Sequence, residues 1–157
     1  MENSNSLADA VISHWDAESM KCTPASEVDL TAFERRLNVS LPDALGELYR
    51  RSDGTPYGNP DEAGHRFWSI SEFRPDEDYS WAIVFADHRE ESWWYGIDLM
   101  GEGGLGTEAV YLLGEIGRPA LYIASSFEDF VRLYLKDDQR LYLSGAHRHD
   151  AASRVSR

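Results

Sequence analysis

The N-terminal third of the chain carries apolar residues at helical spacing in three successive segments. The spacing from Leu7 to Trp15 predicts a leading helix over about Leu7 to Glu18. Two shorter helices follow, and their apolar faces consist of Leu30, Phe33 and Leu37 and of Leu45, Leu48 and Tyr49. We therefore expect three helices before any strand.

Residues that favour helix ends mark the limits of the second and third predicted helices. Ser26 is placed to cap the start of the second helix, and Asn38 can end it in a left-handed conformation. Ser40 is predicted to cap the third helix, whose early Pro42 has no backbone N–H to leave unpaired. Gly54 then ends this helix in a turn-rich loop.

The middle of the chain changes to patterns that are typical of β-strands. A short strand is predicted over His65–Ile70, and the continuous apolar run Trp81–Ala86 indicates a strand buried on both faces. Because Ser92–Leu99 alternates apolar and polar residues, we expect it to pair antiparallel with that run across a charged turn. Ala109–Leu113 and Ala120–Ala124 predict two further strands.

The last predicted element is a helix that follows Ser125. Ser125 and Glu128 have the spacing of a capping box, in which each side chain accepts a hydrogen bond from a free backbone N–H. The apolar stripe of this helix consists of Phe127, Phe130, Val131, Tyr134 and Leu135. Helices at both ends of a run of strands predict an α+β fold, with a mostly antiparallel sheet and the helices packed on one face.

The order of residues at two places resembles a known family. The pattern F-E-x-x-L-x-V-x-L-P-x-x-L-x-E-L-Y-x-x-x-D-G spans Phe33 to Gly54, and Y-I-A-S-S-F precedes the last helix. Both resemble the signature of the SUKH superfamily, over roughly Ser26 to Lys136. The resemblance implies an immunity protein that binds and neutralises a toxin, as many bacterial members do. Fungal members linked to cell-wall assembly and signalling imply a regulator or scaffold as the alternative.

Length and composition predict a single cytoplasmic domain. The 157 residues fit one domain, which we assign to residues 1–143, with residues 1–5 frayed and residues 144–157 forming a disordered tail. Cys22 is the one cysteine, so no intramolecular disulfide can form, which suits a reducing compartment. The N-terminus lacks the basic and apolar parts of a signal peptide, and no apolar run reaches the roughly 18 residues of a membrane span.

The charge of the chain restricts its partners. The formal net charge is −13, from 28 acidic and 15 basic residues, which disfavours binding to nucleic acid or to an anionic membrane. Between Asp76 and Glu108 there are nine acidic residues and one basic residue, Arg89, with five Trp and Tyr residues among them. This segment is either a solvated sheet edge with core aromatics between its charges or a surface for a basic protein partner.

We predict a partner-binding surface in this acidic segment. If Trp93 and Tyr95 face the helices, strand alternation turns Trp94 to the opposite side. Trp94 is then the expected aromatic anchor of an interface. The predicted partner-binding residues are Trp94, Asp98, Asp87, Glu90, Glu91, Asp76, Glu77 and Asp78.

Candidate catalytic, cofactor and metal motifs are weak. Gly101–Gly106 satisfies G-x-G-x-x-G, but a strand pattern follows it and not the helix that would receive a phosphate, so we predict no cofactor. His14 and His65 are isolated, and His147 with His149 lies in the predicted tail, so we predict no metal site. Asp87-His88 is the best acid–base pair, although neighbours along a strand point apart.

Together these features predict a non-catalytic, cytoplasmic immunity or antitoxin-like protein. It would occupy the active or substrate site of a basic toxin, for example a nuclease. Two alternatives stay open: a regulator or scaffold with several modest-affinity partners, and an enzyme that uses carboxylates of the Asp53–Glu62 loop or of the Asp87-His88 pair.

Overall fold

A six-stranded antiparallel sheet forms the centre of the fold. The structure is a computed structural model that describes residues 4–89, 91–114 and 119–142. The strands are β1 (His65–Phe67), β2 (Arg74–Pro75), β3 (Ile83–His88), β4 (Trp93–Asp98), β5 (Ala109–Leu113) and β6 (Leu121–Ala124). Their order is β1-β3-β4-β5-β6, and β2 pairs with the same edge of β3 as β1 does.

The helices flank this sheet in sequence. They are α1 (Ser4–Ala17), α2 (Glu27–Leu37), α3 (Asp43–Tyr49) and α4 (Phe127–Lys136). Among the described residues, three α-helices therefore precede the strands and one follows them, which confirms the predicted α+β fold. No helix in the described ranges is long and apolar enough to cross a membrane.

Aromatic side chains join the helices to one face of the sheet, which we call the helix-covered face. Phe130 of α4 lies with its ring centroid 5.1 Å from those of Phe85 and Tyr95. Trp15 of α1 packs edge-on against Phe67 of β1, at 5.6 Å. All five side chains are buried, and aromatic pairs of this kind contribute about 0.5–1.5 kcal/mol beyond the area they bury.

The second and third helices pack against the chain between β1 and β3. The rings of Phe33 in α2 and Tyr49 in α3 each meet Phe73 edge-on, at 5.3 and 5.5 Å. The buried Tyr49 hydroxyl donates a 2.6 Å hydrogen bond to the carbonyl of Trp68, which satisfies its polar group inside the core.

The predicted ends of α2 are confirmed, whereas the predicted cap of α3 is wrong. Ser26 accepts a hydrogen bond from the N–H of Asp29, and Asn38 ends α2 in the left-handed region. At α3 the N-cap position is Pro42, and no side chain caps it. Ser40 is too early for this position because the helix begins at Asp43.

The start of α4 lies one residue later than the sequence predicted. Ser126 is the N-cap and accepts a 3.1 Å hydrogen bond from the backbone N–H of Asp129. Ser125 instead donates to the carboxylate of Asp129, at the exposed side of the helix. The two adjacent serines have the same capping preference, so the sequence alone selected the wrong one of the pair.

Several strand limits also differ from the prediction. β1 ends at Phe67 because Ser69 caps a short 3₁₀ turn over Ile70–Glu72. β3 runs from Ile83 to His88, two residues later than predicted, because the N–H of Ala82 donates to the carbonyl of Tyr79 in a turn. The two-residue strand β2 was not predicted. Residues 144–157 and 1–3, predicted to be a disordered tail and part of a frayed end, lie outside the described residues.

The revised cap of α4 gives a direct test. We expect Ser126→Ala to lower the free energy of unfolding by about 1 kcal/mol, because it removes a partner for a free helix N–H. The matched control is Ser125→Ala, whose exposed hydrogen bond should contribute only a few tenths of a kcal/mol. Urea unfolding followed by circular dichroism measures both changes. A larger loss for Ser125→Ala than for Ser126→Ala would contradict the assigned cap.

Candidate functional site

The second face of the sheet carries the predicted aromatic residue Trp94. Residues that face each other across antiparallel strands share a face, so two rows can be followed across the sheet. One row is Arg66, Asp87, Trp94 and Leu113, and the other is Val84, Gly96, Tyr111 and Tyr122. We call these eight residues the outer face. On this face the ring of the neighbouring Trp81 contacts Tyr111, and Tyr111 contacts Tyr122.

The alternation of β4 follows the prediction. Tyr95 faces the helices and contacts Phe130, whereas Trp94 lies on the outer face and is half-buried. The indole Nε1 of Trp94 donates a 3.2 Å hydrogen bond to the exposed carboxylate of Glu91. That carboxylate also lies 4.0 Å from the guanidinium of Arg74. Trp94 and Glu91, two of the predicted binding residues, are therefore neighbours at the surface.

Asp87 does not lie at the surface as predicted, because its side chain is buried beneath Trp68 and Arg66. Its Oδ2 accepts a 2.6 Å hydrogen bond from Trp68 Nε1 and lies 3.2 Å from the guanidinium of Arg66. The guanidinium groups of Arg66 and Arg74 lie 5.4 and 5.0 Å from the centroid of the Trp68 ring, within cation–π range. Asp87 therefore positions the surface residues around it and does not itself face a partner.

Asp98 is also buried, and it organises the glycine-rich loop after β4. Its carboxylate accepts hydrogen bonds from the backbone N–H groups of Gly101, Glu102 and Gly103, at 2.8, 3.1 and 2.7 Å. These N–H groups are the ones that an anion would need in a dinucleotide loop, and here they are bound to a carboxylate of the same chain. The ring of Trp81 rests on this loop, because a Cβ at Gly103 would lie 2.8 Å from it.

The remaining predicted residues lie in the turn between β2 and β3. Asp76 accepts hydrogen bonds from the N–H groups of Asp78 and Tyr79, each at 3.0 Å, which fixes the turn. Glu77 and Asp78 are exposed. The turn also carries Trp81, whose ring meets Tyr111 of the outer face edge-on at 4.8 Å. Glu90 lies outside the described residues.

The structure therefore brings together only part of the predicted site. Trp94 and Glu91 lie at one end of the outer face, and the acidic turn, whose Trp81 contacts Tyr111, lies toward the other. Tyr122 of the same face is 47% exposed. Arg74 is not predicted from the sequence, because the strand that places it is only two residues long. Half-buried aromatic rings with a charged rim match the composition of protein interfaces.

A second polar cluster is not predicted from the sequence, in which His14 and His65 are isolated. The fold brings both next to Asp61, which is 6% exposed. Asp61 Oδ1 accepts a 2.9 Å hydrogen bond from the N–H of His65, and Oδ2 accepts one from the hydroxyl of Tyr134. Tyr134 in turn accepts a 2.9 Å hydrogen bond from the indole of Trp15. The available signal was the pairing of His14 with Glu18 one turn later on the predicted helix.

His65 and His88 form a buried imidazole pair on the helix-covered face, with ring centroids 4.4 Å apart. His88 Nε2 lies 2.8 Å from the carbonyl oxygen of Ala63, so this nitrogen carries the proton and donates it. Burial, followed by the repulsion of His88, lowers the pKa of His65 to about 4. Burial also lowers the pKa of His88. Because Asp87 points to the outer face, Asp87 and His88 do not form an acid–base pair.

Comparison with known proteins identifies relatives of this chain. The model of the SMI1 / KNR4 family (SUKH-1) matches residues 24–133, which include α2, α3, all six strands and most of α4. A protein of the yeast Debaryomyces hansenii named KNR4/SMI1 homolog 1 is 30% identical over 73 residues. That segment is 46% of this chain and 15% of the yeast protein.

The buried imidazole pair predicts a loss of stability in mild acid. The folded protein binds fewer protons than the unfolded chain below the ordinary histidine pKa, so the stabilisation is complete above pH 6.5 and is lost as the pH falls towards 4. The lowered pKa of His65 corresponds to a change of about 3 kcal/mol at most in the free energy of unfolding. Urea unfolding at several pH values, in buffer with EDTA, measures the loss.

The matched variant for this prediction is His65→Phe. Neither ring nitrogen of His65 has a hydrogen-bond partner within the described residues, so an apolar ring leaves no new polar group unpaired. We expect the free energy of unfolding of this variant to change less with pH between 6.5 and 4. Equal pH dependence in both proteins would show that His65 is not the titrating group.

Proposed function

The chain belongs to the SMI1 / KNR4 family (SUKH-1), and we propose that it is an immunity or antitoxin-like protein that binds a partner toxin. It would neutralise the toxin by occupying its active or substrate site, without catalytic activity of its own. Members of this family are generally non-catalytic immunity or regulatory proteins that act through protein–protein interaction.

The outer face is the observation that carries this proposal. Trp94 is half-buried at one end of this face, where its indole donates a hydrogen bond to Glu91. A ring that is already ordered loses little conformational entropy on binding, which favours affinity. Aromatic anchors beside charged rims are the residues that contribute most to protein interfaces.

The charge of this region supports a basic partner. Glu77, Asp78 and Glu91 are exposed, and the whole chain carries a net charge of −13. A toxin that acts on nucleic acid needs a basic substrate site, and acidic side chains can take the place of phosphates there. Attraction between opposite charges would raise the association rate, towards about 10⁸ M⁻¹s⁻¹ at low salt.

The proposed contact residues follow from the positions of the side chains. Trp94 and Glu91 at the surface, with Asp76, Glu77 and Asp78 of the acidic turn, form the set that can meet a partner. Asp87 and Asp98 are buried and would act indirectly, by holding Trp68, Arg66 and the glycine-rich loop in place. Glu90 stays a prediction from the sequence.

A regulatory or scaffold role within the same family is the second candidate. The Debaryomyces hansenii protein supports this role only through the shared family, because the similarity covers 15% of that protein. This role predicts several partners of modest affinity and no toxic one. The immunity role predicts a single stoichiometric partner.

The experiment that separates these roles is affinity capture of the tagged full chain from its host at low and high salt. The captured partner is then expressed alone and together with the chain. We expect one basic partner that stops growth alone and is harmless when the chain is present. Several partners, none of them toxic, would favour the regulatory role.

Trp94→Ala tests the position of the interface on the same partner. We expect the dissociation constant to rise about thirtyfold, the equivalent of about 2 kcal/mol, mainly through a faster dissociation rate. Surface plasmon resonance measures both rates, and the melting temperature should change little because the side chain is half-buried.

The control for this variant is Val28→Ala, which shortens a side chain that is 76% exposed on α2, away from the outer face. Its binding constants should match those of the parent chain. A Trp94→Ala protein that melts at a lower temperature but binds with unchanged rates would show that Trp94 is a core residue and that the interface lies elsewhere.

A further inference from the structure

Three side chains with metal-ligating atoms converge where α1 meets the loop before β1. Glu18 follows the end of α1 and lies one helical turn after His14, so the two side chains are neighbours. Asp61 approaches them from the loop before β1. The His14 Nε2 atom is 3.5 Å from Glu18 Oε2 and 3.8 Å from Asp61 Oδ2. The three atoms lie within 4.8 Å of one another.

These distances suit a shared metal ion. Ligand atoms at about 2.0–2.2 Å from a tetrahedral Zn²⁺ lie about 3.3–3.6 Å from each other. The two separations from His14 Nε2, 3.5 and 3.8 Å, need only a few tenths of an ångström of adjustment. Two carboxylates and one neutral imidazole carry a charge of −2, which the ion would neutralise.

Backbone groups already orient both carboxylates towards His14. Glu18 Oε1 accepts a 2.8 Å hydrogen bond from the N–H of Glu62, and Asp61 Oδ1 accepts a 2.9 Å hydrogen bond from the N–H of His65. Each carboxylate therefore has one oxygen held by the backbone and turns the other oxygen towards the imidazole. The second oxygen of Asp61, Oδ2, also accepts a hydrogen bond from the Tyr134 hydroxyl. Such outer hydrogen bonds are typical of built metal sites.

An unpartnered buried imidazole, that of His65, lies behind the Asp61 carboxylate. The His65 side chain is 3% exposed, and neither of its ring nitrogens has a hydrogen-bond partner within the described part of the chain. Its Nδ1 lies 4.0 Å from Asp61 Oδ1, on the inner side of the same carboxylate. A buried polar ring without a hydrogen bond is costly, and His65 packs against a carboxylate of the proposed site.

We propose that His14, Glu18 and Asp61 bind one Zn²⁺ ion. The imidazole ligand selects against Mg²⁺ and Ca²⁺, which prefer oxygen ligands alone. The His14 and Glu18 side chains are 35% and 14% exposed, so the ion can enter from solvent and a water molecule can complete its coordination. His65 lies behind Asp61 and is not one of the three ligands.

This ion would join α1 to the part of the fold that the family model matches. The family match begins at residue 24, so His14 and Glu18 precede it whereas Asp61 lies within it. Bound Zn²⁺ would therefore clamp the N-terminal helix onto the loop that leads into β1. It would stabilise the folded chain without taking part in partner binding at the outer face.

Isothermal titration of ZnCl₂ into tag-free, chelator-treated full chain tests the site. We expect one ion per chain and, at a free Zn²⁺ of one hundred times Kd, a melting temperature higher by about 5–10 °C. MgCl₂ should give neither effect. Bound Co²⁺ should give intense visible absorption bands, which report nitrogen and oxygen ligands at low coordination number.

Matched variants assign the ligands. His14→Ala and Glu18→Gln change partly exposed residues at the end of α1 and should each weaken Zn²⁺ binding at least tenfold while the protein stays folded. The control is the double variant His147→Ala and His149→Ala, which should bind as the parent does. Binding that is lost only in the control, or that is unchanged in His14→Ala and Glu18→Gln, would overturn the site. If Zn²⁺ does not bind at all, the three side chains form only polar contacts with one another, and the proposed site is wrong.

Discussion

The alternation of side chains along β4 is the constraint on which the rest of the structure depends. Tyr95 and Trp93 point to the helices, where Tyr95 contacts Phe130 of α4 and donates a 2.6 Å hydrogen bond to the carbonyl of Leu141. Trp94 between them points to the outer face. A register shift of one residue would exchange the two sets and remove both the helix packing and the outer face. The core and the proposed interface are therefore set by the same strand register.

Buried carboxylates connect this register to the surface. Asp87 follows the same alternation on β3, and from the outer face it holds the indole of Trp68 and the guanidinium of Arg66. Asp98 at the end of β4 holds the loop on which Trp81 rests. Each charge is matched by several donors, as buried charges need to be. These buried carboxylates thus hold the surrounding outer-face residues in place, although a partner would not contact the carboxylates directly.

Periodicity in the sequence predicted the helices, the central strands and the orientation of Trp94, because these depend on local alternation and on one apolar face. The errors arose where local signals were equivalent or short. Ser125 and Ser126 have the same preference, and β2 has too few residues for a pattern. Burial of Asp87 could not be predicted, since its donor Trp68 lies 19 residues away. The meeting of His14 with Asp61 likewise depends on tertiary packing.

Hydrogen–deuterium exchange of the chain, free and bound to its captured partner, tests the central claim that the outer face is the binding surface. The account predicts slower exchange of backbone amides in residues 76–82 and 91–94 of the complex, because these segments carry the acidic turn and Trp94. Exchange in α2 and α3, which lie on the other side of the sheet, should stay the same. Protection confined to those two helices, with no change at the outer face, would contradict the account.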